Sequence, residues 1–256
     1  MLTRRELTLT EQFVGPPNLG NGGYVVGYMA GVLADDKPEG HVYGAGAFEV
    51  TLRAPLPINA GLQTLHEDDG LKLLQGETLL ATARASALDL VVPLPASVEA
   101  ARAHASSSLS LKPGFHQTLG ERIGVHPICF CCGAERGESD GLRVFPAACD
   151  GDEGVTALWT PHECFAGEDG LIGPEIICAA IDCPGAFAFL ENDQRAGLLG
   201  RMTVEFLKPL RAGDETRILG WRLGEDGRKM LAGTALFDSE GDLVAKAKQV
   251  WFGFPG

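Results

Sequence analysis

The sequence has no hydrophobic run long enough to cross a membrane and few basic residues. No stretch reaches the ~18 consecutive apolar residues that a spanning helix needs, and no apolar core follows Arg4 and Arg5, so we expect no signal peptide. Lysine and arginine total 21 against 34 acidic residues, a net charge of −13. This acidity argues against a nucleic-acid partner and against an anionic membrane surface. We predict a cytoplasmic protein.

The seven cysteines lack the spacing of a disulfide framework or of a strong zinc motif. Their number is odd and no secretory signal precedes them, so we expect reduced thiols. A C-x-x-C pair occurs once, at Cys129 and Cys132, with Cys131 and His126 nearby. Because no second pair supplies a fourth ligand, we expect no metal. Cys183 lies on an apolar helix, where packing is expected rather than nucleophilic chemistry.

The predicted elements follow the same order in both halves of the chain: a glycine-containing loop, one buried helix and a four-strand antiparallel meander. After a first strand within 3–12, the first half has a helix at 24–34 and strands at 46–56, 61–67, 71–77 and 78–88. The second half has strands at 141–147 and 154–161, a helix at 171–190, and strands at 198–210, 214–224, 228–238 and 242–254. We predict domains at 1–88 and 126–256, joined by a linker, 89–125, that holds one short helix at 97–105.

The two halves also share residues, which indicates an internal duplication. VTLRAPL at 50–56 aligns with VEFLKPL at 204–210, and ATARAS at 81–86 resembles AKAKQV at 245–250. Gly22-Gly23 aligns with Gly173-Pro174 ahead of each helix.

Residues 171–190 form the most apolar long segment, and Asp182 lies in the middle of it. Gly173-Pro174-Glu175 is a helix start signal, whereas Pro184-Gly185 is expected to end, kink or split the helix. A buried carboxylate is costly unless it is hydrogen-bonded or has a chemical task. Asp182 is therefore expected to cap neighbouring backbone, to pair with Arg201, or to act on a reactant.

These segments resemble the hotdog superfamily, in which antiparallel strands wrap one long central helix. Three segments are similar to the double-hotdog acyl-CoA thioesterases of the type II class. They are the glycine-glycine helix start NGGYVVGYMAGVLA at 21–34, the helix segment AAID at 179–182 and the last-strand segment LVAKAKQ at 243–249. The resemblance implies an α+β tandem (double) hotdog that hydrolyses an acyl thioester, with acyl-CoA as the substrate. It implies no cofactor other than the coenzyme A carried by that substrate.

The resemblance also implies site residues. Asp182 and Gln249 fall where the family carries an acid and an amide that position the attacking water. The family's hydroxyl belongs near Leu199, and the nearest hydroxyl expected on that strand face is Thr203. Backbone N–H groups around Asn21, Gly22 and Gly23, or at Gly173, are expected to polarise the thioester carbonyl. Phe187 is expected to line the acyl chain.

The first half has neither the acid nor the amide, because Gly31 and Ala85 occupy the positions of Asp182 and Gln249. The asymmetry predicts one composite site between two hotdog units. Gln249 has a competing role, since its amide can simply satisfy buried backbone groups.

Two other functions fit the same fold. One is a non-catalytic protein that binds an acyl or lipophilic ligand, favoured by the missing hydroxyl near Leu199. The other is a β-hydroxyacyl dehydratase that would use His162 and Glu175. In either case the chain is expected to be a monomer or a homo-oligomer that associates through sheet edges.

Overall fold

The computed structural model describes residues 5–35, 40–67, 70–113, 125–150, 154–193 and 197–253. The helices in these ranges are α1 (Gly22–Asp35), α2 (Val98–His104), α3 (Pro174–Ala180) and α4 (Asp182–Asp193). The strands are β1 (Glu6–Thr8), β2 (Ala47–Leu52), β3 (Gly61–Glu67), β4 (Gly70–Gln75), β5 (Thr78–Ser86), β6 (Ala147–Ala148), β7 (Gly154–Trp159), β8 (Gly197–Phe206), β9 (Thr216–Asp226), β10 (Lys229–Phe237) and β11 (Leu243–Gly253). None of the described helices is both long and apolar enough to cross a membrane.

All the described strands form one antiparallel sheet in the order β1-β3-β4-β5-β2-β8-β11-β10-β9-β7-β6. Strands β2 and β8 meet at its centre, where Val50 pairs with Met202 and Phe48 pairs with Val204. Because the repeat aligns Val50 with Val204, these two pairs are related by an approximate twofold axis. The fold is the predicted α+β class, with the sheet continuous from the first repeat into the second.

The predicted helix at 171–190 is two helices, α3 and α4, with a break at Ile181. Proline lacks an N–H, and its ring collides with the carbonyl group four residues earlier in a helix. For Pro184 that carbonyl belongs to Ala180, so one helix cannot run through both residues. The break therefore falls just before Asp182, and Pro184 lies in the first turn of α4, where proline is tolerated.

The predicted strand at 141–147 is wrong over most of its length, because only Ala147 and Ala148 form a strand there. Arg143 has a positive φ of 55°, and Pro146 has no N–H to donate to a neighbouring strand. Both features interrupt an extended ladder.

Helices α1 and α3 lie against each other with their backbones nearly in contact. Gly23, Gly27 and Gly31 follow at four-residue spacing, which places them on one face of α1. A Cβ atom at position 27 would lie 2.5 Å from the Cα of Glu175 and closer still to the carbonyl oxygen of Pro174. The absence of side chains on this face allows the start of α1 to reach the end of α3.

The linker residues Leu90 and Val92 cover part of the outer face of the sheet, the side away from the helices. They pack against a cluster made of Leu219, Trp221, Ala235 and Phe237. Arg217 fixes the segment further along by donating to the carbonyl oxygen of Ala96 at 3.1 Å. Helix α2 follows at the position predicted for the short helix.

Candidate functional site

Asp182 of the second repeat meets the start of α1 from the first repeat. The backbone N–H of Gly23 donates to Asp182 Oδ2 at 3.0 Å. The side chain of Asp182 is buried, with 3% exposure. Its second oxygen, Oδ1, is also buried and accepts no hydrogen bond within normal distance from any described residue. The carboxyl group is thus anchored through Oδ2 by the Gly23 N–H. Oδ1 lacks a hydrogen bond of normal geometry, although the Asn21 side chain is close enough to the carboxyl group to stabilise its charge.

The environment of Asp182 favours a neutral carboxyl group more than water does. Burial raises its pKa to about 7, and the nearby Cys129 sulfur acts in the same direction. The Gly23 N–H and the side chain of Asn21 oppose this shift, because both stabilise the carboxylate. The net direction is set by burial.

The start of α1 brings three predicted residues to this place: Asn21 directly before the helix, and Gly22 and Gly23 in its first turn. Asn21 caps the helix through its Oδ1 atom, which accepts from the Tyr24 N–H at 2.8 Å. Gly22 packs where a Cβ would lie 3.0 Å from Leu52 and 3.1 Å from Leu199. The structure therefore groups Asn21, Gly22, Gly23 and Asp182, with Leu199 beside them.

Of the two structural partners considered for Asp182, neighbouring backbone is the one that the structure shows. Arg201 lies on the outer face of the sheet. It donates to Thr51 Oγ1 at 2.9 Å and approaches Glu49 at 3.5 Å. Asp182 therefore has no ion pair with Arg201.

The equivalent place on the other side of the twofold axis lacks both the acid and the donor. Gly31 there faces the ring of Pro174, which a Cβ at position 31 would approach at 3.1 Å. Gly31 replaces the carboxylate of Asp182, and Pro174 has no N–H to replace that of Gly23. Within the described ranges, an Asp182-type site therefore occurs once.

Strand pairing supports the second asymmetry, between Gln249 and Ala85. Gln249 pairs with Met202 on β8, and Ala85 pairs with Phe48 on β2. Met202 and Phe48 are equivalent in the repeat, so Gln249 and Ala85 are equivalent too. The amide is present in one repeat and absent from the other.

The side chain of Gln249 is completely buried and is held by protein groups. Its Nε2 donates to the carbonyl oxygen of Ile181 at 2.8 Å and to Thr234 Oγ1 at 3.2 Å. Its Oε1 accepts from Trp251 Nε1 at 2.7 Å. Both amide protons are therefore in use, and the structure gives no hydrogen bond between Gln249 and Asp182. Gln249 instead holds the break between α3 and α4, one residue before the acid.

Thr203 does not lie on the strand face of Leu199, so this prediction is wrong. Leu199 pairs with Trp251, but Arg201 pairs with Val250, which leaves Gly200 as the extra residue of a β-bulge. The bulge reverses the alternation of side chains along β8. Thr203 consequently pairs with Lys248 and points to the outer face.

Thr234 is the hydroxyl that sequence reasoning missed. It lies on the inner face of β10, pairs with Ala247 and is fully buried. The signal was present, because Thr234 interrupts an apolar row made by Met230, Ala232 and Leu236, as Gln249 does on β11. The same alternation argument would have found it.

Two predicted residues remain, Gly173 and Phe187. Gly173 is nine residues earlier than Asp182, before α3, which is roughly 13 Å at 1.5 Å per helical residue. Its backbone is covered by the side chain of Glu175, whose carboxyl carbon lies 2.8 Å from the position of an added Cβ. Phe187 is a buried core residue of α4.

The structure does not join His162 to Glu175 by any hydrogen bond. His162 accepts from the Cys164 N–H at 3.2 Å and so caps a short 3₁₀ turn. It also lines a surface cleft of about 530 Å³ together with Arg143, Trp159 and Phe165. Asp182 and Gln249 are not among the residues of that cleft.

Two groups of metal-capable side chains occur in the described ranges: Asp238, Glu240 and Asp242, and Cys129, Cys132 and Cys183. The acidic group lies on a turn where Lys208 already bridges Asp238 and Asp242. The thiol group lies beside the candidate site.

One long antiparallel sheet with paired helices on its inner face is the arrangement of the double-hotdog proteins. A TesB protein from Mycobacterium avium subsp. paratuberculosis matches 99% of this chain and 96% of its own, with a TM-score of 0.60 and 14% identity. A protein of unknown function with a hot dog fold from Alicyclobacillus acidocaldarius matches 100% and 96%, with a TM-score of 0.60 and 13% identity. The 12:0-ACP thioesterase from Umbellularia californica matches 99% and 94%, with a TM-score of 0.52 and 10% identity.

No protein-family model and no curated protein matches the sequence. The chain has the double-hotdog fold over its full length, as predicted. At identities of 10–14%, this likeness concerns the fold.

Proposed function

We propose that this chain hydrolyses an acyl thioester, with acyl-CoA as the first substrate class to test. One observation carries the proposal: Asp182 is anchored across the repeat interface through Oδ2, while Oδ1 has no partner among the described residues. A buried carboxylate oxygen without a partner is costly in a purely structural role. An acid held in this way is suited to binding and activating a water molecule.

The proposed reaction uses the two repeats together. Asp182 Oδ1 accepts a proton from water as the water oxygen adds to the thioester carbonyl carbon. The carbon–sulfur bond then breaks, and the proton passes to the departing thiolate, which leaves a carboxylic acid and a thiol. The positive end of the α1 dipole lies beside this carboxyl group and favours the negative charge that develops on the carbonyl oxygen.

Gln249 acts in this proposal as a positioning residue. Its bond to the Ile181 carbonyl fixes the turn from which Asp182 projects. Thr234 supports the amide from the neighbouring strand. The proposed catalytic group is thus Asp182, and Asn21 and Gly23 orient it.

Release of free thiol from a panel of acyl-CoA substrates tests the proposal. The Asp182→Asn variant keeps the shape of the side chain but removes the base, so turnover should fall by about 10²- to 10⁴-fold. Asp140→Asn is the matched control, because Asp140 is an exposed acid paired with Arg136. Equal turnover in wild type and Asp182→Asn would refute the proposed role of Asp182.

A second candidate function is non-catalytic binding of an acyl ligand. Leu199 favours it, because this apolar side chain stands beside Gly22 where the resemblance called for a hydroxyl. A non-hydrolysable thioether analogue of acyl-CoA should then bind while acyl-CoA is not turned over. Hydration of enoyl-CoA without release of thiol would instead indicate a dehydratase.

The proposed setting of the enzyme is the cytoplasm. All seven cysteines are free, which fits a reducing compartment. The sheet ends in strands of three and two residues, β1 and β6. Such short edges favour a monomer over association through sheet edges.

A further inference from the structure

Three thiols meet beside Asp182, although one of them is distant in the sequence. Cys129 and Cys132 belong to the loop before Gly133, and Cys183 lies in the first turn of α4. Their sulfur atoms all lie within 4.8 Å of one another. The sulfurs of Cys129 and Cys183 are 3.7 Å apart.

The loop that carries Cys129 and Cys132 is fixed by backbone hydrogen bonds. The N–H of Cys129 donates to the His126 carbonyl at 3.0 Å, and the N–H of Gly133 donates to the Cys129 carbonyl at 2.9 Å. A Cβ at Gly133 would lie 2.5 Å from that same carbonyl oxygen, so only glycine closes this turn without displacement. The N–H of Phe130 also binds the Val14 carbonyl at 2.6 Å, which attaches the loop to the first repeat.

One of the three sulfur–sulfur distances already has the length found in the coordination shell of a thiophilic metal ion, and the other two are at most 4.8 Å. Thiolates bind zinc at about 2.3 Å in a tetrahedron, so two ligand sulfurs are separated by roughly 3.8 Å. The observed 3.7 Å between Cys129 and Cys183 has this length. Cys129 and Cys132 are almost completely buried, at 4% and 3% exposure, so bulk water has little access to their sulfur atoms.

We propose that Cys129, Cys132 and Cys183 form a binding site for one thiophilic divalent metal ion, with zinc as the reference ion. The three sulfurs supply three of four tetrahedral positions and leave the fourth to a water molecule or another exogenous ligand. Cys131 is not one of the three, because its thiol is directed to the Ala180 carbonyl at 3.6 Å. Binding exchanges three thiol protons for one M²⁺, so three protons are released to solvent.

Such an ion would connect the Gly133 loop to the first turn of α4. The site does not depend on the proposed hydrolysis, because none of its ligands is in the proposed reaction. It differs from the C-x-x-C pattern of the sequence in its third ligand, which is Cys183 of α4 rather than the neighbouring His126 or Cys131.

Metal titration of the reduced, chelator-treated full-length protein tests the proposal. Zinc is added in competition with a chromogenic chelator, and cadmium is added while thiolate-to-metal charge-transfer absorption is recorded. We expect one ion per chain, and we expect Cys183→Ser and Cys132→Ser each to weaken binding by at least tenfold. Cys149→Ser and Cys164→Ser are matched controls, one buried and one exposed, and should bind as the wild type does.

A measurement on the wild type alone guards against variants that fail to fold. Zinc should slow alkylation of Cys129, Cys132 and Cys183 by at least tenfold while Cys164 reacts at an unchanged rate. The proposal is overturned if the reduced wild type binds no ion stoichiometrically, if folded Cys183→Ser binds as tightly as wild type, or if zinc leaves the alkylation of the three thiols unchanged.

Discussion

Replacing Gly27 with alanine tests the close contact between α1 and α3 on which the composite site depends. The new Cβ would lie 2.5 Å from the Cα of Glu175, and the carbonyl oxygen of Pro174 would be nearer still. Two carbon atoms in contact prefer about 3.5–4.0 Å, so the helices must separate by roughly 1 Å. Both obstacles belong to the backbone, and no side-chain rotation can remove them.

The expected change in the free energy of unfolding of Gly27→Ala is the sum of two opposing contributions. Overpacking of a close-packed core costs about 1–3 kcal/mol, and a backbone clash belongs at the upper end. Alanine gains about 1 kcal/mol over glycine from helix propensity. The net loss is about 2 kcal/mol, which lowers the Tm by roughly 4–8 °C for a chain of about this size.

Gly31→Ala is the matched control on the same helix face. Its Cβ would meet only the ring of Pro174, at 3.1 Å. The small steric cost of this short contact and the gain in helix propensity nearly cancel in the free energy of unfolding. The Tm of Gly31→Ala should therefore stay within about 2 °C of wild type. Thermal unfolding followed by circular dichroism measures both variants. If Gly27→Ala unfolds at or above the wild-type temperature, the described contact between α1 and α3 is wrong.

Three further predictions concern the support of α4. Gln249→Leu leaves the Trp251 indole N–H without its acceptor, so stability should fall by about 1–3 kcal/mol and the tryptophan emission spectrum should shift; unchanged emission would contradict the contact. Thr234→Val should lower stability by about 1 kcal/mol and reduce turnover, whereas Thr203→Val on the outer face should leave turnover within about twofold; the reverse ranking would mean that the register of β8 is wrong. In Gly185→Ala the new Cβ would overlap the Gln249 amide, whose Cδ would lie 2.9 Å away; the cost of about 1–3 kcal/mol should shrink in a chain that also carries Gln249→Ala, and simple additivity in a double-mutant cycle would argue against the overlap.

Much of the fold could be predicted because its signals are local or periodic. The order of helices and meanders followed from alternation, and the duplication followed from aligned segments such as 50–56 and 204–210. The sequence predicted that Asp182 and the segment Asn21–Gly23 serve one composite site. It assigned the Gly23 N–H to the thioester carbonyl, however, whereas in the structure that N–H donates to Asp182.

What the sequence did not reveal depends on geometry between distant segments. A single extra residue, Gly200, turns the side chain of Thr203 to the opposite face of the sheet, and no local sequence pattern predicts this β-bulge. Gln249 donates to Thr234 on the adjacent strand and to the carbonyl of Ile181. Ile181 lies at the helix break, three residues before the proline, Pro184, that causes it. Cys183 joins Cys129 only because α4 folds back onto the loop, 54 residues along the chain.

Pro174 makes the two repeats of this chain unequal at their helix starts, because Gly23 keeps an N–H at the matching position. When two identical subunits share an interface, every substitution is made twice, and a change that ruins one crevice ruins both. Fusion into a single polypeptide removes that constraint. One helix start, at Pro174, can therefore lack the donor that Gly23 supplies at the other. If the proposed function is right, titration with a tight-binding acyl-thioester analogue should saturate at one equivalent per polypeptide.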